Sequence, residues 1–185
     1  MLLDVTSVGI CGSDLHYYKD GGIGSDAIAS PFVPGHEFAA TLAAEDPLLG
    51  PAGTLVAVDP GCVCAQCEFC LRGEPNLCSK MRFLGAPPHH GALTEQIVVP
   101  RQNIHTVPPG MTPDQVTLLE PLGIAIHAAN LAAARPGEDV AVTSTSTSIS
   151  TISCSFLGLR FTDLRNAPSV GAHRVRLIGA WNPTL

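Results

Sequence analysis

Cys62, Cys64, Cys67 and Cys70 fall within nine residues, and Cys78 follows eight positions later. No other feature constrains the chain so strongly, because thiols at this density are cross-linked to one another or to a metal. The steps Cys64, Cys67 and Cys70 are successive Cys-x-x-Cys spacings, which let the backbone curl and aim sulfurs at one centre. With Cys78 they make four thiolates, the donor set of a tetrahedral zinc with no position open for chemistry. The competing reading is a redox pair. Cys62 stands only two residues before Cys64, too close for the usual gap, and reads as a spare small hydrophobe or a substitute ligand. The expectation is a closed structural zinc lobe that braces a loop.

Bulk properties support a metal over disulfides. The chain has 185 residues, 45% of them hydrophobic, enough for one domain or one domain and part of another. Charged residues are 14% and the net charge is −6, which leaves no basic face for nucleic acid. No apolar run approaches the roughly 20 residues of a membrane span. The opening MLLDVTSVGIC has no basic region and is interrupted by Asp4, so it does not read as a signal peptide. A cytoplasmic, reducing setting follows as the expectation, and there clustered cysteines are more often metal ligands than disulfides.

A closed zinc lobe is not an active site, so chemistry is sought elsewhere. The stretch GICGSDLHYY supplies Cys11, Ser13, Asp14, His16, Tyr17 and Tyr18, and PFVPGHEF supplies His36 and Glu37. Each alone has a bland reading, a packed cysteine after a strand and a turn after a proline. Together they offer a thiolate, an imidazole and a carboxylate, the mixed ligand set of a catalytic zinc with a free position.

Five pieces in order carry a resemblance: GICGSDLHYY, VPGHEFAATL, the Cys64/Cys67/Cys70/Cys78 lobe, GALTEQIVVP and LLEPLGIAIHAA. Over residues 2–142 the chain resembles the zinc-dependent medium-chain dehydrogenases, and within them the polyol dehydrogenases acting on sorbitol, xylitol or L-idonate. The resemblance implies a mainly β fold with a few helices, a GroES-like β-barrel catalytic domain. It implies oxidation of a secondary alcohol of a sugar alcohol to a ketose with NAD or NADP, one catalytic and one structural zinc, and a homo-oligomer.

The resemblance also implies roles. Cys11 and His36 are expected as catalytic zinc ligands, and Glu37 as a ligand or a supporting carboxylate. Glu120 of the EPL motif either binds the zinc or hydrogen-bonds its water and a substrate hydroxyl. Ser13 and His16 match a proton relay, Asp14 a carboxylate that orients the zinc-bound imidazole, and Tyr17 a substrate contact. His89 and His90 read as solvated loop residues, His105 as a strand-end residue and His127 as a core residue of an apolar helix. His173 lies beyond the resemblance.

Local patterns agree with such a fold. LLDVTSVGI, TLVAVDP and ALTEQIVVP read as strands between Gly and Pro turns. Thr112, Pro113 and Gln115 read as the N-cap, first helical position and capping-box partner of a helix that Pro121 breaks. A second, mostly apolar helix follows, and then EDVAV as the opening strand of a nucleotide-binding domain. There the resemblance ends. The strand runs into TSTSTSISTIS, and no G-x-G-x-x-G fingerprint follows Val142; DGGIG does not fit the pattern. Residues 1–142 carry 6 basic and 15 acidic residues, and residues 143–185 carry 4 and 1. The expected organisation is a front-shortened zinc-binding catalytic domain at 1–134, the start of a truncated nucleotide-binding domain at 135–142, and an aberrant or disordered tail at 143–185. A reading-frame shift would produce such a tail, and a natural Ser/Thr-rich linker is the alternative. A non-catalytic zinc-binding remnant is accordingly the second functional expectation.

Overall fold

The computed structural model describes residues 1–133 and the strand segments 139–143, 160–161 and 176–179. These residues fall into two compact units, Met1–Leu122 and Gly123–Leu185.

The first unit is built on strand β1 (Leu2–Val8), followed by helix α1 (Gly12–Asp20) and the short hairpin strands β2 (Gly22–Ile23) and β3 (Asp26–Ala27). Strands β4 (Phe38–Leu42) and β5 (Leu55–Val58) come next. Strand β6 (Gly61–Cys62), helix α2 (Glu68–Leu71) and strand β7 (Arg82–Phe83) frame the cysteine segment. Strands β8 (Gln96–Val98) and β9 (Ile104–Thr106) and helix α3 (Pro113–Thr117) complete the unit, and helix α4 (Leu119–Leu131) begins at its end.

Five strands form one antiparallel sheet in the order β8-β1-β4-β5-β9. Its centre is β4, FAATL, where Phe38, Ala39, Ala40 and Leu42 are all buried. Alanine on this strand leaves room for cover on both faces. Leu3, Phe38, Leu42, Val56 and Val99 form the core with Val58, Ala92 and Ile104, each large side chain contributing about 1.5–3 kcal/mol on burial. Asp46 closes the turn between β4 and β5. Its carboxylate accepts from the Leu48 and Leu49 N–H groups at 2.9 and 3.0 Å and is gripped by Arg101 through Nε and Nη2.

Register decides where the chemistry sits. Val8, the last residue of β1, pairs with Phe38, the first of β4. Because the strands are antiparallel, Cys11 just after β1 and His36 just before β4 leave the sheet at the same end. A bulge between Val5 and Ser7 adds twist there.

Helix α1 was not legible as a helix. Its N-cap is Cys11, and Asp14 at the third helical position accepts from the Cys11 N–H at 2.9 Å. Gly21, at φ 72°, ends it, donating to the Tyr17 carbonyl at 3.2 Å. Helix α3 begins as its sequence indicates, with reciprocal bonds between Thr112 and Gln115. The break expected at Pro121 falls earlier, at Leu118. Pro121 lies in the first turn of α4, where its missing N–H would have no intrahelical partner anyway. The ALTE part of the expected third strand is irregular, and only Gln96–Val98 pairs.

In the second unit, strand β10 (Asp139–Thr143) pairs in parallel with β11 (Arg160–Phe161) on one side and β12 (Arg176–Gly179) on the other. Sequence periodicity gave no sign of these last two strands. The expectation of an aberrant tail otherwise falls on residues outside those described, as does His173. His127, expected in the core, is exposed on α4. Among the described residues, no helix is long and apolar enough to cross a membrane.

Candidate metal centres

Two groups of metal-competent side chains occur among the described residues: Cys64, Cys67, Cys70 and Cys78, and Cys11, His36 and Glu37. In each group the donor atoms all lie within 4.8 Å of one another.

The four sulfurs of the first group have measured edges of 3.5 Å (Cys67–Cys70), 3.6 Å (Cys64–Cys78) and 3.9 Å (Cys67–Cys78). Thiolates at about 2.3 Å from a tetrahedral zinc stand roughly 3.8 Å apart, so the cage already has the dimensions of the ion. Backbone N–H groups point at the sulfurs. Those of Cys70 and Ser79 hold Cys67 down to about 6, against the burial that opposes them. Burial and the neighbouring sulfurs push Cys70 up to about 12. Metal binding to the cage would release thiol protons. Cys62 is not in the cage. It lies buried in β6, where burial raises its thiol.

The second group sits where β1 and β4 leave the sheet. Cys11 caps α1, and His36 and Glu37 lead into β4. The Cys11 thiol is lowered chiefly by its hydrogen bond with His36; burial opposes this and Ser13 adds to it. Burial works against charge on His36, but the Cys11 sulfur, Asp14 and Glu120 outweigh it and the imidazole is raised. A thiolate beside an imidazole and a half-buried carboxylate is a donor set that fits zinc with one position to spare. Glu37 rests over Gly9, where a Cβ would stand 2.5 Å from the Glu37 Oε2.

The other expected residues fall around this group in ways sequence could not specify. Asp14 is buried, but its bonds go to backbone. Oδ2 accepts from Cys11 N–H at 2.9 Å and Oδ1 from Gly35 N–H at 3.0 Å, while the His36 Nδ1 lies 3.9 Å away. Asp14 therefore aligns the two ligand-bearing segments, and it stands beside the imidazole that it was expected to orient. Glu120 lies outside the 4.8 Å set, yet close enough to His36 and Glu37 for their charges to act on it. Burial pushes its carboxyl up, His36 opposes this, and Glu37 and Asp59 add to it. Ser13 lies close enough to the Cys11 sulfur to help lower its thiol. His16 is exposed and pairs with Asp20 at 2.8 Å. Tyr17 is 7% exposed, its ring edge-on to Phe32 at 5.5 Å. His90 is exposed, as expected of a loop residue, and it also accepts the Val33 N–H at 3.1 Å and stacks on Phe32. Sequence reasoning missed Phe83, whose ring lies 5.5 Å from that of His36.

This geometry can be set beside known proteins. Residues 1–109 match the family described as alcohol dehydrogenase GroES-like domain. The chain belongs to this family. Among the medium-chain dehydrogenases it is similar to the sorbitol dehydrogenase of Bacillus subtilis (strain 168), 39% identical over 144 residues, covering 77% of this chain and 41% of that one. The crystal structure of L-idonate 5-dehydrogenase from Escherichia coli is 35% identical with a TM-score of 0.72, covering 77% of this chain and 42% of that one. Galactitol-1-phosphate dehydrogenase from Escherichia coli is 32% identical with a TM-score of 0.67, over 76% and 40%. The chain thus spans about two fifths of the length of these dehydrogenase relatives, and its residues 1–109 make up a GroES-like domain.

Proposed function

We propose that the chain is the zinc-holding catalytic domain of a cytoplasmic, homo-oligomeric polyol dehydrogenase, which oxidises a secondary alcohol of a sugar alcohol to the ketose with NAD or NADP. The domain runs over residues 1–134, and residues 135–142 open a nucleotide-binding domain. The observation that carries this reading is the meeting of Cys11, His36 and Glu37 at one end of the sheet, with Glu120 beside them.

Cys11, His36 and Glu37 would hold a zinc ion, which when bound would supply Lewis acidity toward the alcohol oxygen. The chain's own residues do the rest. Asp14 keeps the Cys11 and His36 segments in register. Glu120, whose carboxyl burial raises, is placed to exchange a proton with the substrate hydroxyl. Ser13 and His16 lie on α1, between Cys11 and its exposed face, and offer a route for the proton to solvent. Tyr17, wedged against Phe32, shapes the wall on the substrate side.

One sequence observation favours a second reading, a zinc-binding remnant without turnover. The strand that should feed a glycine turn runs into Thr143–Ser150, whose side chains would block close approach to a pyrophosphate. Two titrations test these readings. Cobalt placed at the Cys11/His36/Glu37 site should change its absorption when sorbitol, xylitol or L-idonate is added. Intact cobalt that ignores all three sinks the polyol assignment. Calorimetry with NAD then separates the readings: saturable binding with NAD reduction by polyol establishes the enzyme, and its absence favours the remnant.

A further inference from the structure

We infer that the four-cysteine lobe is a positioning device for His36, acting through Phe83 and the glycines that follow it. This rests on the proposed role of His36 as a metal ligand.

The lobe hangs from a narrow stem. The chain enters it through β6 and leaves through β7, and these strands pair only as Gly61 with Phe83 and Cys62 with Arg82. Leu84 N–H adds one bond to the Pro60 carbonyl at 3.0 Å, and Asn103 ties Asp59 and Gly61 to the body of the domain. A two-stranded ladder of this length is marginal by itself. Closing the sulfur cage above it joins Cys64, two residues from β6, to Cys78, four residues from β7, and so holds the stem together.

The far end of the stem meets the catalytic group. Phe83 lies against the His36 ring, 5.5 Å between centroids and tilted by 60°. Two residues on, Gly85 takes φ 78°, and a Cβ there would stand 2.7 Å from the Gly35 carbonyl oxygen, so only glycine lets the backbones touch. Gly91 crosses the same carbonyl still more closely. The segment then bonds to the His36 loop through Gly91 N–H to Val33 (2.6 Å), Leu93 N–H to Pro34 (3.1 Å) and Ala92 N–H to Gly35 (2.8 Å). The loop bearing His36 is therefore gripped by the chain that emerges from the cysteine cage. A metal that orders the cage orders Phe83, and Phe83 fixes the imidazole. By linkage, the two metal sites then share a coupling free energy that acts equally in both directions.

The test uses the full chain and two readouts. With one equivalent of zinc already in the lobe, cobalt(II) is titrated into the Cys11/His36/Glu37 site, whose band is identified by its loss in Cys11→Ser. Phe83→Ala should weaken cobalt roughly fivefold or more, with lobe zinc and circular dichroism unchanged, and Phe83→Tyr should bind as wild type. Separately, in a Cys11→Ser, Glu37→Gln chain, one equivalent of zinc should shift and sharpen the His36 ring resonances. Adding Phe83→Ala should abolish that response. Unaltered cobalt affinity in Phe83→Ala, or His36 resonances that ignore lobe zinc, overturns the inference alone. Wild-type chain that takes up no second metal sinks the proposed function and this inference with it.

Discussion

Asp14 Oδ1 accepts the Gly35 backbone N–H at 3.0 Å, a buried bond across 21 residues that ties helix α1 to the loop carrying His36. Its partner oxygen holds the Cys11 N–H. Removing the carboxylate leaves the buried Gly35 donor unsatisfied and frees the helix start. Asp14→Ala should lose about 3 kcal/mol of stability, since hydrogen bonds to charged groups contribute about 1.5–3 kcal/mol each. Asp14→Asn, which keeps one acceptor, should lose less. Urea unfolding midpoints of the three proteins check this. Equal stability of Asp14→Ala and wild type would mean the carboxylate is incidental.

Cys62 and Cys67 make opposite predictions from similar sequence surroundings. Cys62→Ser should leave zinc content unchanged, because its sulfur is buried in β6, outside the cage. Cys67→Ser should release the lobe metal, because its sulfur makes two of the three measured edges. Metal analysis after dialysis decides. Equal losses from both substitutions would show that the four ligands are wrongly chosen.

The Asp46 carboxyl is held well below the usual carboxylate range, first by Arg101 and then by the Leu48 N–H. A depressed folded value means the pair contributes stability above the unfolded carboxylate value of about 4, and that contribution is lost as pH falls below it. Arg101→Ala should therefore be less stable than wild type at neutral pH, and the two should converge on acidification. Urea midpoints across the acid range measure this. A gap that widens toward low pH would contradict the sign.

What sequence revealed was what neighbouring residues encode. The cage is set by Cys-x-x-Cys steps and the start of α3 by Thr112, Pro113 and Gln115, all within short stretches. Helix α1 escaped notice because its cap is a cysteine and only Asp14 and Tyr17 are buried, leaving little apolar periodicity. Strand β4 was hidden because a central strand buried on both faces has no alternation to read. Pro121 misled because proline is a breaker inside a helix but acceptable in its first turn. Cys11 and His36 could be nominated as ligands from composition and resemblance, but their meeting depends on the pairing of Val8 with Phe38. The same holds for Asp14 with Gly35 and Phe83 with His36, contacts between segments that sequence leaves far apart.

One short chain is expected to hold two zinc ions at sites of different kinds, one in a closed thiolate cage and one at Cys11, His36 and Glu37. Zinc content per chain, measured after zinc loading and removal of free metal, tests it directly when wild type is compared with His36→Ala and Cys67→Ser. The account predicts two zinc ions in wild type and one in each variant, with the tighter ion retained by His36→Ala and the weaker by Cys67→Ser. A single zinc in wild type that survives His36→Ala unchanged would contradict it.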